Sequence, residues 1–370
     1  MQMKNVLGVI NLVNDKPFLK ELTKHRCLAS VPFAGRYRLI DFTLSNFIHS
    51  EITDVVVFTK AKHRSIMDHL GSGREWDLDR RNGGLHILPP VSPDKKVKGD
   101  LQQFHEHIQV FKQTKADLIV ISPGHHVGKI DYSEAVDAHR KKQADITILY
   151  KDYEGEPVEK PIYHQCRMLR DGSLLDIDLF TAPLPGAHVC LETYILDKAL
   201  FIKLVERCVE QEEYDFLKDV VKANQHKLNI QGYAFTGHLP FIHSNESYYK
   251  SNMDFLNPEI IHDYFYKQGE IYTKVKHEAP ATYTATSNVS NSLVANGCEI
   301  EGTVENSVLF RGVKVHKGAV VKNSIIMQRG EIGVDVEIDG IIADKHVKLI
   351  NEQKNTEAGK IHVIEKAAIR

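Results

Sequence analysis

Two adjacent histidines are the residues of this chain that first suggest metal chemistry. His125 and His126 follow the apolar run 118–121, which is typical of a buried strand, and His243 is a third candidate. Imidazole is a common ligand of transition metals. Neighbouring residues of a strand point to opposite faces, so His125 and His126 are not expected to chelate one ion without a turn. Because no cysteine or carboxylate is spaced to complete a tetrahedral set, we expect no metal in this chain.

The segments that must position these residues alternate between strands and helices. Strands are predicted over 6–12, 54–59, 118–122, 146–150 and 188–196. Helices are predicted over 37–50, 63–71, 100–114, 132–142, 198–212 and 257–267. This alternation predicts an α/β domain with a mostly parallel sheet, whose ligands lie beyond the carboxyl ends of the strands.

From about residue 287 the periodicity changes to six. Val320, Ile326, Ile332 and Ile338 recur at this spacing, glycines accumulate, and Asn-Ser pairs repeat at 291, 306 and 323. Hexad periodicity is typical of a parallel β-helix; a small antiparallel β-domain is the alternative. We therefore expect an α/β domain over 1–245, a linker with a helix over 246–286 and a β-helix over 287–370.

Composition narrows the functional classes. The 370 residues carry a net charge of -2, and the five cysteines are scattered without a CxxC pair. A net charge close to zero gives no indication of a basic surface that would bind nucleic acid. Cysteines without a paired spacing favour a reducing compartment. No apolar run approaches the length of a membrane span, and the first residues do not resemble a signal peptide. We expect a cytoplasmic protein that binds neither nucleic acid nor membrane.

Several motifs resemble the bacterial ADP-glucose pyrophosphorylase (glucose-1-phosphate adenylyltransferase) family. The similarity lies in residues 31–42, in 76–80, in 247–249 with 252–254, and in the repeat segment around 304–313. The resemblance implies a Rossmann-like nucleotidyltransferase domain followed by a left-handed parallel β-helix. It also implies a chemistry in which a sugar 1-phosphate attacks the α-phosphate of ATP, which requires backbone donors, fixed cations and carboxylates that hold Mg²⁺.

The resemblance further implies that the catalytic positions are degenerate. Phe18 stands where the family's glycine-rich phosphate loop has an arginine, and no glycine remains in that loop. Leu28 replaces a lysine, while His125 and Phe241 replace the two Mg²⁺-binding aspartates. Glu192 stands at a glycine of the sugar site and is expected to project a charge into it. Since imidazole is a poor Mg²⁺ ligand and phenyl is none, we expect no catalytic residue and no cofactor in this chain; Mg²⁺ would be used by a catalytic partner.

These losses, beside intact fold motifs, resemble the regulatory, non-catalytic subunit of glycogen biosynthesis. The implied function is allosteric modulation of a homologous catalytic subunit in a heterotetramer. Arg26 and Arg38 match basic positions at which family members bind anionic metabolites, and Arg36 is close to them. The alternative for Arg36 and Arg38 is that they form ion pairs with local carboxylates. The alternative functions of the chain are an independently active nucleotidyltransferase that uses Lys16, Lys20 and His125, a β-helix acyltransferase, and a structural protein.

Overall fold

The computed structural model describes residues 5–16, 18–60, 62–91, 96–153, 163–180, 188–267, 269–354 and 361–366. The α-helices are α1 (Leu39–His49), α2 (Arg64–Leu70), α3 (Asp100–Glu106), α4 (Ile108–Gln113), α5 (Tyr132–Lys141), α6 (Lys198–Glu210), α7 (Asn245–Asp254) and α8 (Pro258–Phe265). Short 3-10 helices cover Leu28–Ser30, Arg74–Trp76 and Lys222–Asn224, and a π-helix covers Phe216–Val221. In this part of the chain no helix is long and apolar enough to cross a bilayer.

The strands of the larger sheet and of a short hairpin lie in the first two thirds of the chain. They are β1 (Val6–Asn11), β2 (Pro32–Phe33), β3 (Tyr37–Arg38), β4 (Asp54–Phe58), β5 (Gly84–Leu88), β6 (Leu118–Ser122), β7 (Ile146–Asp152), β8 (Tyr163–Met168), β9 (Leu174–Phe180), β10 (His188–Asp197) and β11 (Ile230–Ala234).

Shorter strands follow in the last third. They are β12 (Thr282–Tyr283), β13 (Asn288–Ser290), β14 (Leu293–Val294), β15 (Glu299–Ile300), β16 (Thr303–Glu305), β17 (Val308–Leu309), β18 (Lys314–Val315), β19 (Val320–Lys322), β20 (Ile325–Ile326), β21 (Glu331–Ile332), β22 (Glu337–Asp339), β23 (Ile341–Ala343), β24 (Lys348–Leu349), β25 (Gln353–Lys354) and β26 (His362–Ile364).

The chain divides into two compact units that are not contiguous in sequence. The first contains the described residues up to 16 together with 42–239, and the second contains those of 17–41 together with 240–370. This division by contacts differs from the linear one expected at 245 and 287, because the segment 17–41 binds to α7. The Tyr248 hydroxyl donates to the Pro32 carbonyl at 2.5 Å, and the Ala34 N–H donates to Asn252 Oδ1 at 2.9 Å.

The first unit is built on a mixed sheet with the strand order β11-β7-β10-β6-β1-β4-β5. Strands β6, β1, β4 and β5 are parallel neighbours, as are β11 and β7, whereas β10 runs antiparallel to both β6 and β7. The hairpin β8–β9 adds to β10. Strands β1, β4 and β6 are apolar and buried along almost their whole length, which is typical of parallel strands covered on both faces. This confirms the Rossmann-like expectation.

The second unit contains three parallel sheets of five short strands, with the orders β12-β15-β18-β21-β24, β13-β16-β19-β22-β25 and β14-β17-β20-β23-β26. Consecutive coils stack in register, so that Leu309 pairs with Ile326 and Ile326 with Ala343. Ile326, Ile332 and Ile338 are fully buried in the interior. The arrangement is that of a hexapeptide-repeat β-helix and confirms the expected fold.

The hexad expectation is wrong at one position. Val320 is only partly buried, and its neighbour Val321 occupies the interior instead. Two residues separate β19 from β20, whereas four separate β20 from β21 and β21 from β22. The interior residues of this coil are therefore spaced by five, six and six rather than by six throughout.

Asparagine and serine ladders line the corner that holds the short turn. Asn291, Asn306 and Asn323 all have positive φ, which asparagine tolerates better than most residues. The amide of Asn291 donates to Asn306 at 2.8 Å, and that of Asn306 donates to Asn323 at 2.7 Å. The Ser307 hydroxyl accepts the Ser324 N–H at 3.1 Å, so the serine ladder donates in the opposite direction, from the later coil to the earlier one. The repeated Asn-Ser pairs therefore connect one coil to the next.

Candidate functional site

A cavity of about 290 Å³ opens at the carboxyl ends of β1, β4 and β6 in the first unit. Its lining is mainly polar: Asn11, Asn14, Asp15, Lys16, Lys60, Asp100, His125, His164, Glu192, Tyr194 and Asp215, with Val13, Pro123, Phe216 and Leu217. This is the edge at which open α/β sheets bind their ligands. His125 and Glu192, both singled out in the sequence, lie in this cavity.

The Asp100 carboxylate anchors the wall formed by the end of β1. It is buried at the first residue of α3 and accepts four N–H bonds. Asn11 and Asn14 donate to Oδ2 at 2.8 and 2.7 Å, and the Leu101 and Phe216 N–H groups donate to Oδ1 at 2.9 and 3.0 Å. Burial and the nearby Asp215 raise the pKa of Asp100 to about 7, whereas these donors act to lower it.

Glu192 forms an ion pair inside the same cavity. Its Oε1 lies 2.5 Å from Lys16 Nζ and 3.7 Å from His164 Nδ1, and its side chain is 25% exposed. The pairing of β10 with β7 shifts register between Cys190 and Thr193, and Glu192 has a φ of 49°. This irregularity directs the carboxylate into the cavity, because bulges reorient side chains. Burial would raise the pKa of Glu192, but Lys16 and His164 together hold it far below its ordinary value.

His125 and His126 lie in the loop that follows β6 rather than in the strand. Their rings are in edge-to-face contact with centroids 5.1 Å apart, so the alternation of side chains along a strand does not apply to this pair. Burial lowers the pKa of His125 to about 4 and that of His126 to about 3, so that both rings are neutral near pH 7. Among the described residues, no group of three or more His, Cys, Asp or Glu is arranged to hold a metal ion.

The Asp100 and Glu192 carboxyl groups and the His125 ring do not fit Mg²⁺. This ion requires several oxygen ligands in octahedral geometry. Both oxygens of Asp100 already accept two hydrogen bonds each, and the Glu192 carboxylate is bound by Lys16. His125, at the position that the resemblance assigns to a Mg²⁺ ligand, offers a neutral imidazole instead of a carboxylate.

The other degenerate positions belong to the second unit. Leu28 is buried in a 3-10 helix, whereas Phe18 and Phe241 are partly buried. The Phe241 carbonyl accepts a bond from the ring of His243 at 3.0 Å, and burial lowers the pKa of His243. None of these three side chains provides a charge or an oxygen ligand, as expected from their residue types.

Arg26 is part of a buried ion pair in the second unit. Its Nη2 contacts both oxygens of Asp344 at 2.8 and 2.6 Å, and the two side chains are 7% and 3% exposed. Hydrogen bonds between two ionised groups are stronger than those between neutral groups. Arg26 therefore ties the segment 18–41 to the coil that contains β23.

Arg36 and Arg38 lie beside further cations that the sequence analysis missed. Burial and then Arg38 and Arg26 lower the pKa of Lys345 to about 6. Burial also lowers the pKa of Lys276, and the charges of Arg311, Arg329 and Arg38 add to this effect against Glu278. The set Arg26, Arg36, Arg38, Lys276, Arg311, Arg329 and Lys345 is called the basic cluster below. Its members are dispersed over 320 positions of the sequence, from 26 to 345, so the motif that marks Arg26, Arg36 and Arg38 does not identify the other four.

Comparison with known proteins agrees with this architecture. A family model for nucleotidyl transferases matches residues 19–160, and a model for the GlmU-like C-terminal hexapeptide domain matches 276–360. The chain is 36% identical over 346 residues to the glycogen biosynthesis protein GlgD of Bacillus subtilis (strain 168), covering 93% of this chain and 90% of that protein. Identity to the GlgD protein of Geobacillus stearothermophilus is 38% over 321 residues, or 85% of this chain and 82% of the relative.

Enzymes are found among the relatives as well. The glucose-1-phosphate adenylyltransferase of Geobacillus stearothermophilus is 34% identical over 310 residues, which cover 82% of this chain and 80% of the enzyme. Matches of this length extend over both units, so they reflect common descent of the whole chain. The protein therefore belongs to the ADP-glucose pyrophosphorylase (glucose-1-phosphate adenylyltransferase) family.

Proposed function

We propose that this chain is a regulatory, catalytically deficient subunit that acts in glycogen biosynthesis. It would assemble with a homologous catalytic glucose-1-phosphate adenylyltransferase subunit in a heterotetramer and change the turnover or affinity of that subunit. The observation that carries this proposal is the pair Lys16–Glu192, in which the cation of the loop after β1 is bound by a carboxylate of the same chain.

Adenylyl transfer needs charge neutralisation that this cavity lacks. Its acidic side chains are Asp15, Asp100, Glu192 and Asp215, whereas Lys16 and Lys60 are its lysines. A triphosphate would meet this excess of negative charge without the Mg²⁺ that normally offsets it. The alternative of independent catalysis through Lys16 and His125 is disfavoured, because Lys16 is paired and His125 is neutral.

We further propose that the basic cluster binds an anionic effector. The proximity of Arg38 to Lys276 and Lys345 supports this, since the positive charge of Arg38 disfavours the protonation of both lysines. An anion with two or more charges would relieve that repulsion, and arginine is suited to phosphate oxygens. Arg26 would support the site through Asp344 rather than contact the anion.

The function is tested by an assay with and without the partner. The purified chain is incubated with ATP, glucose 1-phosphate and Mg²⁺, and pyrophosphate release is measured alone and after addition of a catalytic homologue from the same source. We expect no release by the chain alone and altered kinetics of the homologue in its presence. Rapid release by the isolated chain, or homologue kinetics that stay unchanged while the chain co-purifies, would reject the proposal.

The effector site is tested by thermal unfolding in the presence of inorganic phosphate and of a sugar bisphosphate. We expect either anion to raise Tm of the wild type and Arg38→Gln to weaken that effect. Arg167→Gln is the matched control, because Arg167 is an exposed arginine of the first unit that pairs with Asp176. Equal protection of both variants would exclude Arg38 from the site.

A further inference from the structure

The loop formed by residues 11–16 is bound on both sides by carboxylates from distant parts of the chain. Asn11 and Asn14 donate to Asp100, which is 89 and 86 positions away, and Lys16 donates to Glu192, 176 positions away. The polar side chains of a loop at the carboxyl edge of a parallel sheet normally face a ligand. In this chain three of them face carboxyl groups of the protein itself.

Glu192 holds its place despite an unfavourable backbone conformation. A φ of 49° is in the left-handed region, where glycine is favoured and a residue with a Cβ is strained. Glu51 and Glu212 show the same feature at exposed turns, with φ of 57° and 58°. Glu192 differs from them because its carboxylate lies in the cavity against Lys16 and His164.

The groups that face Glu192 are those of an anion site. Lys16 contacts the carboxylate directly, His164 lies within 4 Å, and Lys60 lines the same cavity. Asp15, Asp100 and Asp215 line it as well and set a limit on how much added negative charge it accepts. The low pKa of Glu192 means that the carboxylate stays charged throughout the physiological range, so that acidification does not release Lys16.

We propose that the Asp100 and Glu192 side chains are internal carboxyl ligands of loop 11–16, and that Glu192 occupies a phosphoanion site formed by Lys16, Lys60 and His164. The site is autoinhibited: its cation is present but occupied. This inference rests on the proposed function, because it concerns the same cavity. It adds a specific reason why the cavity does not bind a phosphoanion, namely that Glu192 occupies the site; a loss of catalysis could occur without such occupation.

The inference is tested by measuring pyrophosphate binding to the full-length chain by isothermal titration calorimetry without Mg²⁺. Glu192→Gln removes the charge and keeps the shape, and Glu192→Gly also removes the strained Cβ. We expect both variants to bind pyrophosphate about ten-fold more tightly than the wild type, because a like charge next to the ligand is removed. Adding Lys16→Met to Glu192→Gln should abolish the gain.

Glu51→Gly is the matched control, since it relieves the same backbone conformation at an exposed turn that does not line the cavity. It should leave pyrophosphate binding unchanged. Far-UV circular dichroism and Tm verify that each variant is folded, and a variant that does not fold is replaced by Glu192→Ser. Tight binding by the wild type, no gain in folded Glu192 variants, or a gain that survives Lys16→Met would overturn the inference. These outcomes are independent of partner stimulation, so the proposed function could hold while autoinhibition fails.

Discussion

The substitution Arg26→Met tests whether an arginine of the second unit stabilises the fold or binds the effector. The substitution removes the guanidinium that contacts Asp344 at 2.8 and 2.6 Å, whereas the Asp344 side chain, 3% exposed, remains buried. An acidic side chain without its partner in this position has to remain charged at a high cost or become protonated. We expect a clear loss of stability that Arg38→Gln does not produce.

The size of the loss follows from the burial of the pair. Removing one partner of a buried ion pair costs about 3–5 kcal/mol, because the other charge is left uncompensated. Lys345 interacts with Asp344 and would offset part of this cost, which places the expectation at about 3 kcal/mol, the lower end of the range. Replacing both partners, as in Arg26→Met with Asp344→Leu, should recover most of that loss, since apolar residues of similar volume can substitute for a buried pair.

Urea unfolding followed by far-UV circular dichroism measures these differences, with phosphate protection recorded for each variant. Arg38→Gln should change the free energy of unfolding by less than about 1 kcal/mol, because Arg38 is only partly buried, and should lose protection by phosphate. The reasoning is refuted if Arg26→Met is as stable as the wild type, or if the double variant is no more stable than the single one.

Three further predictions concern the cavity, the β-helix and pH. His125→Asp alone should not restore Mg²⁺-dependent pyrophosphate release, because Phe241 and the Lys16–Glu192 pair remain; measurable turnover would contradict this. Ile326→Asp should abolish both co-purification with the catalytic homologue and stimulation of that homologue, since it places a carboxylate in the fully buried coil interior. His125→Ala should keep both properties. The reverse pattern in a pull-down and pyrophosphate assay would reject assembly through the β-helix. The pKa values of His125 and His126 are lowered in the folded state, so the unfolded chain binds more protons below pH 6.5. The free energy of unfolding should therefore fall as pH decreases from 6.5 towards 4, by up to about 1.4 kcal/mol per pH unit for each histidine. If His126→Phe showed the same pH slope as the wild type, a contribution of that ring would be excluded.

The sequence predicted the strands that are continuous and apolar. The ranges 54–59 and 118–122 agree with β4 and β6 to within one residue, because burial on both faces requires an uninterrupted apolar run. The range 188–196 agrees equally well with β10, although Glu192 interrupts the apolar residues of that strand. Strand β5 (Gly84–Leu88) and strand β11 (Ile230–Ala234) were missed, because both are at the edges of the sheet and carry polar residues. The helix expected over 100–114 is interrupted at His107 between α3 and α4.

Residues of the candidate site could be predicted from the sequence only where they belong to a recognisable motif. Glu192 and His125 were found because each replaces a residue of a recognisable string. The contact between Glu192 and Lys16 was not predicted, since the two residues are 176 positions apart and their contact depends on a register shift in β10. Lys345 and Lys276 were missed for the same reason: the basic cluster exists only after the β-helix has stacked against the segment that contains Arg26.

The division of the second unit between two distant segments constrains the order in which the protein is made. Residues 18–41 leave the ribosome 198 positions, residues 42–239, before the segment that starts at 240. At typical synthesis rates of 5–20 residues per second this interval lasts about 10–40 s. During that time Leu19, Leu22, Leu28 and Phe33, all buried in the complete fold, have no α7 or β-helix to cover them. The first unit can form around this unfinished insertion, so the nascent chain should bind chaperones at 18–41 until translation passes the last coil. A truncation at 239 would make that exposure permanent and yield an aggregation-prone fragment rather than an isolated nucleotidyltransferase-like domain.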